Sequence, residues 1–219
     1  MDLDFTAILP SLPYILKGIG VTLKIVLVAG LLGFAFGIIL AIFKISKYKA
    51  LHWFADIYTS IFRGTPLILQ LMIIYYGAPQ IIGFEISSYY AAVASFSLNS
   101  AAYISEIIRA GILAVDKGQK EAAQALGVPG NRMMWDIILP QALKNILPAL
   151  MNEFITLTKE SAIVTVIAAN DIMRRAYIVG GDQYRFFEPM IFAGMIYYLM
   201  VISLTFVGKL VERRLRQSD

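Results

Sequence analysis

Residues 121–140 read EAAQALGVPGNRMMWDIILP and interrupt an otherwise apolar chain. Glu121, Ala122, Ala123, Gln124, Ala125 and Leu126 form a run of good helix formers. Gly127, Pro129 and Gly130 stop that helix. Asn131 stands where it can cap a second short helix through Met134 and Trp135. Pro140 then marks the start of the next apolar run. The stretch is expected to be a helical elbow on the surface of a membrane bundle, at residues 116–140. A compact amphipathic element of this kind suits docking into the groove of a soluble partner.

Composition sets the wider frame. Of the 219 residues, 58% are hydrophobic and 16% are charged, against about 25% charged in soluble domains. The chain is expected to be an all-α integral membrane protein lying in the lipid bilayer. Its length suffices for five spans of about 20 residues with short loops and no separate soluble domain. Cysteine is absent, which excludes a disulfide frame, a thiol nucleophile and Cys-ligated metal. His52 is the only histidine, so imidazole metal clusters and Ser-His triads are excluded too. Gly208-Lys209 is followed by Leu210 and lacks a glycine-rich lead, so it is no phosphate-binding loop. There is no HExxH. The chain is expected to be neither an enzyme nor a cofactor binder, and nothing in it points to nucleic acid.

Taken in order, residues 1–16 carry Asp2, Asp4, Pro10 and Pro13. A signal peptide starts basic, so this acidic start reads as an uncleaved interfacial arm. Residues 19–43 form the first predicted span, with Lys24 snorkelling near its start. Gly33 and Gly37 are spaced for close helix approach. A helix through Trp53 and Tyr58 to Arg63 is broken by Gly64-Thr65-Pro66, and Pro66 can start the next helix. The second and third spans are predicted at 66–82 and 87–108. In the third, Ser95, Asn99, Tyr103 and Glu106 share one helix face. A polar stripe of this kind faces protein or water rather than lipid. The fourth span is expected at 141–158, followed by a buried or re-entrant segment at 161–169 too short to cross. The fifth is expected at 189–210, before a basic tail. Glu106 and Arg109, three apart, are expected to pair. Trp53 and Trp135 are expected to be interfacial anchors.

Orientation follows from the cations. With the elbow inside, that side holds Lys44, Lys47, Lys49, Arg63, Arg109, Lys117, Lys120, Arg132, Lys144, Lys209, Arg213, Arg214 and Arg216, 13 of the 19 Lys and Arg. The positive-inside rule therefore places the N-terminus outside and the C-terminus in the cytoplasm.

Three blocks carry a resemblance. Glu121-Ala122-Ala123, Gly127, Ile137 and Leu139-Pro140 are spaced as in the EAA loop of ABC-importer permeases. FRGTP around Arg63, SAAYISEIIRAGILAVDKGQKEAAQALG from Ser100, and TLTKESAIVTVI resemble the polar amino acid permeases of the histidine/glutamine/arginine group. The resemblance implies a type I importer permease of the bacterial plasma membrane, with a multi-pass chain. It implies two ABC ATPase subunits that carry ATP and Mg, a second permease subunit, and an extracytoplasmic amino-acid-binding protein. A homodimer is slightly favoured over a heterodimer. Glu121, Ala122, Ala123, Ala125, Leu126 and Gly127 would form the coupling surface for the ATPase.

The candidate cargo contact is Glu153. It lies thirteen residues past Pro140, so about 20 Å along a helix at about 1.5 Å per residue, past the middle of a core about 30 Å thick. A charge near the bilayer centre costs about 2.5–3.5 kcal/mol on insertion scales. Its helical neighbours at three and four residues, Ala149, Leu150, Thr156 and Leu157, offer no cation. The partner must be another helix, water or cargo; a distant Lys159 or Lys24, or a carboxyl kept neutral by burial, are the structural alternatives. With cargo as the partner, charge favours a cationic amino acid: arginine, lysine or histidine. Glutamine is the alternative, because a carboxylate also accepts amide hydrogen bonds. Gln70, Asn99, Asn152 and Thr156 are candidate neighbours, with helix–helix hydrogen bonding as their structural alternative. A secondary transporter would need inverted repeats, and a non-transporting structural subunit would need no buried carboxylate.

Overall fold

The computed structural model describes residues 3–216, and every regular element among them is helical. The acidic start at Asp2 and the last three residues of the basic tail lie outside the described residues. The N-terminal arm is a 3-10 turn, Thr6–Ser11, and a short helix α1, Leu12–Leu16. Asp4 starts the arm by accepting hydrogen bonds from the Thr6 amide at 3.0 Å and the Ala7 amide at 3.3 Å. Ile8 and Ile15, both fully buried, pin it against Ile172, Ala176 and Ala193. Helical structure then runs on into α2, Gly18–Ile45.

Helix α3, Lys49–Gly64, turns at Gly64 and Pro66 into α4, Leu67–Met72. A π-helical turn, Ile73–Gly77, leads into α5, Ala78–Ile82. The two arms of this broken element meet at 101°. Pro66 is the N-cap of α4, as its missing amide donor suits. Helix α6, Ser88–Leu113, begins at a Ser87 cap and runs beyond the predicted end at 108.

Helix α2 lies along most of α6, and this seam is the spine of the fold. Two glycines set its closeness. A Cβ at Gly33 would lie 3.0 Å from Ser100 Cβ, and one at Gly37 would lie 2.6 Å from Ile104 Cγ2. Any side chain there would push the helices apart. The main core gathers around the N-terminal halves of these two helices, with Ile25, Val26, Ala29, Ala91, Phe96 and Leu71 fully buried.

After α7, Lys117–Ala125, a short turn α8, Gly130–Arg132, and a π-helical turn, Met133–Ile138, lead without a break into α9, Leu139–Glu160. The cap expected at Asn131 is replaced by Pro129. Its extended backbone places Gly130 at the first helical position, and no side chain caps the turn. A 3-10 segment, Ser161–Ile167, follows with Val164 and Ile167 buried and ends at Ala168 in a left-handed conformation, φ 57°. Asp171 caps α10, Ile172–Gln183, and α11, Phe187–Arg216, closes the bundle against α9 and α10.

By length and apolarity, three stretches among the described residues can cross a membrane: Thr6–Ile45, Ser88–Leu113 and Phe187–Arg214. The bent pair Lys49–Gly64 and Leu67–Ile82 makes a fourth if it counts as one span. Helix α9 has 22 residues, long enough to cross, but carries Lys144, Glu153, Lys159 and Glu160. Glu153 and Thr158 turn inward, whereas Asn145, Asn152 and Lys159 are exposed.

Candidate functional site

The elbow is built on α7. Asp116 caps it by accepting from the Gly118 amide at 2.7 Å. At the other end the Gly127 amide donates to Gln124 O at 3.0 Å and the Val128 amide to Ala123 O at 2.9 Å. This pair of bonds is a Schellman closure, and it requires the residue at its centre to be left-handed. Gly127 is that residue, at φ 70°. Of the six predicted coupling residues, Ala123 alone turns inward, packing with Met133 and Ile138. Glu121, Ala122, Ala125, Leu126 and Gly127 face outward. Leu126 is 82% exposed, a large apolar side chain standing at the tip of a rigid turn.

Glu153 sits on α9 and faces α6. Its Oε1 accepts a hydrogen bond from Ser100 Oγ at 3.0 Å, and no lysine or arginine lies within the 4.0 Å of an ion pair among the described residues. The Lys24 and Lys159 pairings considered from the sequence are therefore not formed. The carboxylate lines a cavity of about 280 Å³ whose other walls are Leu27, Phe34, Ile104, Leu147, Leu150 and their neighbours. The closeness permitted by Gly33 brings Ser100 to the carboxylate. Ser100 is the residue that sequence reasoning passed over; the Gly33–Gly37 spacing was the signal that could have found it.

Gln70 and Asn99 do not line this cavity. They meet each other, Asn99 Nδ2 donating to Gln70 Oε1 at 3.0 Å, at the break between α3 and α4. Gln70 Nε2 donates to Phe62 O at 2.9 Å, Thr65 O at 3.1 Å and Thr65 Oγ1 at 2.9 Å. Asn99 Nδ2 also donates to Phe62 O at 3.1 Å. A broken helix in an apolar setting frees carbonyls that neighbours must satisfy, and these two amides do so. Asn152, exposed, and Thr156, half-buried, lie on α9 beside Glu153 but outside the cavity lining.

A second acid, Glu106, has the opposite surroundings. Its Oε2 accepts from Arg109 Nη2 at 2.8 Å and Nε at 3.0 Å, forming the expected pair. Lys44 Nζ bonds its Oε1 and also Asp56 Oδ1 at 3.0 Å. His52 Nε2 lies 3.1 Å from Asp56 Oδ2, and Arg63 stacks over the Tyr103 ring at 5.3 Å. This network ties α2, α3 and α6 together at the basic end of the bundle. Lys44, counted from sequence among the cations on the elbow's side, has a side chain only 3% exposed. Trp53 and Trp135 are each 68% exposed, as interfacial rings would be.

Residues 33–217 match the family described as binding-protein-dependent transport system inner membrane component. The chain is 61% identical over 219 residues to the arginine transport system permease protein ArtQ of Bacillus subtilis, covering all of both chains. It is 50% identical over 206 residues to the putative glutamine transport system permease protein GlnP of Rickettsia bellii, covering 94% of each. Among solved structures, "Crystal structure of an amino acid ABC transporter with histidines" superposes with a TM-score of 0.94 at 43% identity, covering 98% of this chain and 100% of the other. The exposed elbow, the internal acid and these likenesses lead to one conclusion: the chain belongs to the family of inner membrane components of binding-protein-dependent transport systems.

Proposed function

We propose that this chain is the membrane subunit of an ATP-driven bacterial importer of amino acids, with a cationic amino acid as cargo. The observation that carries the cargo assignment is Glu153: an acid within the bundle, beside a cavity, with one hydroxyl as its partner. Inert packing needs no such group, and its cost is offset when a guanidinium or ammonium occupies the cavity. Asn152 and Thr156 flank it on α9, and the Gln70–Asn99 clamp holds the neighbouring wall in shape. Relatives named for arginine and glutamine support an amino acid of either kind. Glutamine is the second reading, because an amide also donates to a carboxylate.

In this reading five helical elements cross the plasma membrane with the N-terminus outside and the C-terminus inside, and the broken α3–α5 element and α9 are the two less apolar spans. The elbow meets an ATPase subunit that carries ATP and Mg, since this chain offers no phosphate loop. Two permease subunits, slightly favoured as two copies of this chain, and two ATPases then rock the bundle between inward- and outward-facing states, and a binding protein delivers cargo from outside. The test is ATP hydrolysis by the reconstituted importer, stimulated by arginine-loaded binding protein. Glu153→Gln is expected to lower that stimulation at least tenfold while basal hydrolysis persists. Undiminished stimulation would refute the cargo contact.

A further inference from the structure

A second apolar cavity opens on the flank of the bundle, nearer the elbow. It measures about 360 Å³, and every residue lining it is apolar or aromatic. Ile38 and Ile42 of α2, Ile112 of α6, and Leu139 and Leu143 of α9 form its walls, with Trp135 at the elbow end. Helices α2 and α9 meet only sparingly, so the crevice is a gap in the helix packing. Cations flank the same end. Lys47 follows the lining residue Ile45 by two positions and is exposed, and Arg132 precedes Trp135 by three and is exposed. Asp136, also exposed, is the one acid adjoining Trp135 in sequence.

We propose that this crevice seats an acyl chain of an anionic phospholipid, with its headgroup held by Lys47 and Arg132. The walls have the chemistry of a lipid tail, and the rim has the charge of a partner for a phosphate-bearing headgroup. Trp135 stands between them, where an amphipathic ring belongs. A second copy of this chain is the poorer occupant, because it would bring the same cations against these. The lipid lies against the π-helical turn that joins the elbow to α9, so its presence bears on how the elbow is held. The crevice adjoins the cavity beside Glu153 and shares Phe34, Leu147 and Leu150 with it, but neither Glu153 nor Ser100 lines it.

The chain contains two tryptophans, so the exposed Trp53→Phe leaves Trp135 as the only reporter in the full-length chain. In vesicles of phosphatidylcholine with a minor fraction of bromine-labelled lipid, quenching of Trp135 should show a preference of about 25-fold for labelled phosphatidylglycerol over labelled phosphatidylcholine, from two cations at about 1 kcal/mol each. Lys47→Gln and Arg132→Gln should each reduce that preference about fivefold, the worth of one cation near a lipid headgroup. Lys47→Arg should retain it, and Ile42→Phe, which fills the crevice, should lower quenching by both lipids. Circular dichroism checks that helical content is unchanged in each. Equal quenching by the two labelled lipids, a preference that survives loss of both cations, or no quenching at all would overturn the proposal.

Discussion

Two of the bundle's carboxylates, Glu106 and Glu153, are treated in opposite ways. Glu106 is bound by Lys44 and Arg109, with Arg63 4.0 Å away. Glu153 has one serine hydroxyl and a cavity. A buried charge that the fold itself satisfies serves as a structural tie, and its loss strands its partners. A half-buried charge that the fold leaves mostly unsatisfied carries an uncompensated cost, and the proposed cargo contact rests on that. The same contrast separates Gln70 and Asn99 from Glu153. Their amides are consumed by the backbone break at Gly64–Pro66.

This contrast can be broken by measurement. Glu106→Gln strands the buried Lys44 with Asp56 alone, and should destabilise the chain by about 3 kcal/mol, the low end for a broken buried pair. Thermal unfolding in detergent would register this as a clear drop in Tm, and Lys44→Met in the same chain should recover part of it. Gln70→Leu leaves Thr65 O without its donor and should cost about 1–3 kcal/mol, read from the same melts. Leu126→Ala should leave the melt unchanged and weaken association with the ATPase subunit by about 1–2 kcal/mol, seen as roughly tenfold weaker binding in a titration. Glu153→Gln keeps a hydrogen-bonding partner for Ser100 and removes a desolvated charge, so its Tm should match or exceed that of the parent. If Glu153→Gln melted as low as Glu106→Gln, the two acids would be doing the same job and the contrast would fail.

The smallest effect is expected at the arm. Hydrogen bonds from the Thr6 hydroxyl, and then from the Ala7 amide, hold the Asp4 carboxyl below the usual carboxylate range. Its folded value is lowered, so its contribution is present above the unfolded value and disappears as pH falls through the folded one. Limited proteolysis of the arm should quicken toward low pH in the parent, and Asp4→Asn should flatten that dependence.

Much of the fold was legible in the sequence because apolar runs, Gly-Pro breaks and the elbow punctuation are local signals. The α3–α4 break, the left-handed stop at Gly127 and the close approach at Gly33 and Gly37 follow from residue chemistry alone. The cap at Asn131 was misplaced because Pro129, with its fixed φ, starts the turn one residue earlier. The burial of Lys44 was not legible, since it depends on Asp56 and Glu106 converging from two other helices. Nor could sequence separate Gln70 and Asn99 from Glu153. All three are polar residues in apolar runs, and only the packing shows whose hydrogen bonds are already spoken for.

Equilibrium binding of labelled arginine to the purified permease–ATPase complex, without binding protein, tests the central claim most directly. Saturable binding that is lost in Glu153→Gln and kept in Leu126→Ala is the predicted result. Equal binding of arginine by the parent and Glu153→Gln would contradict it.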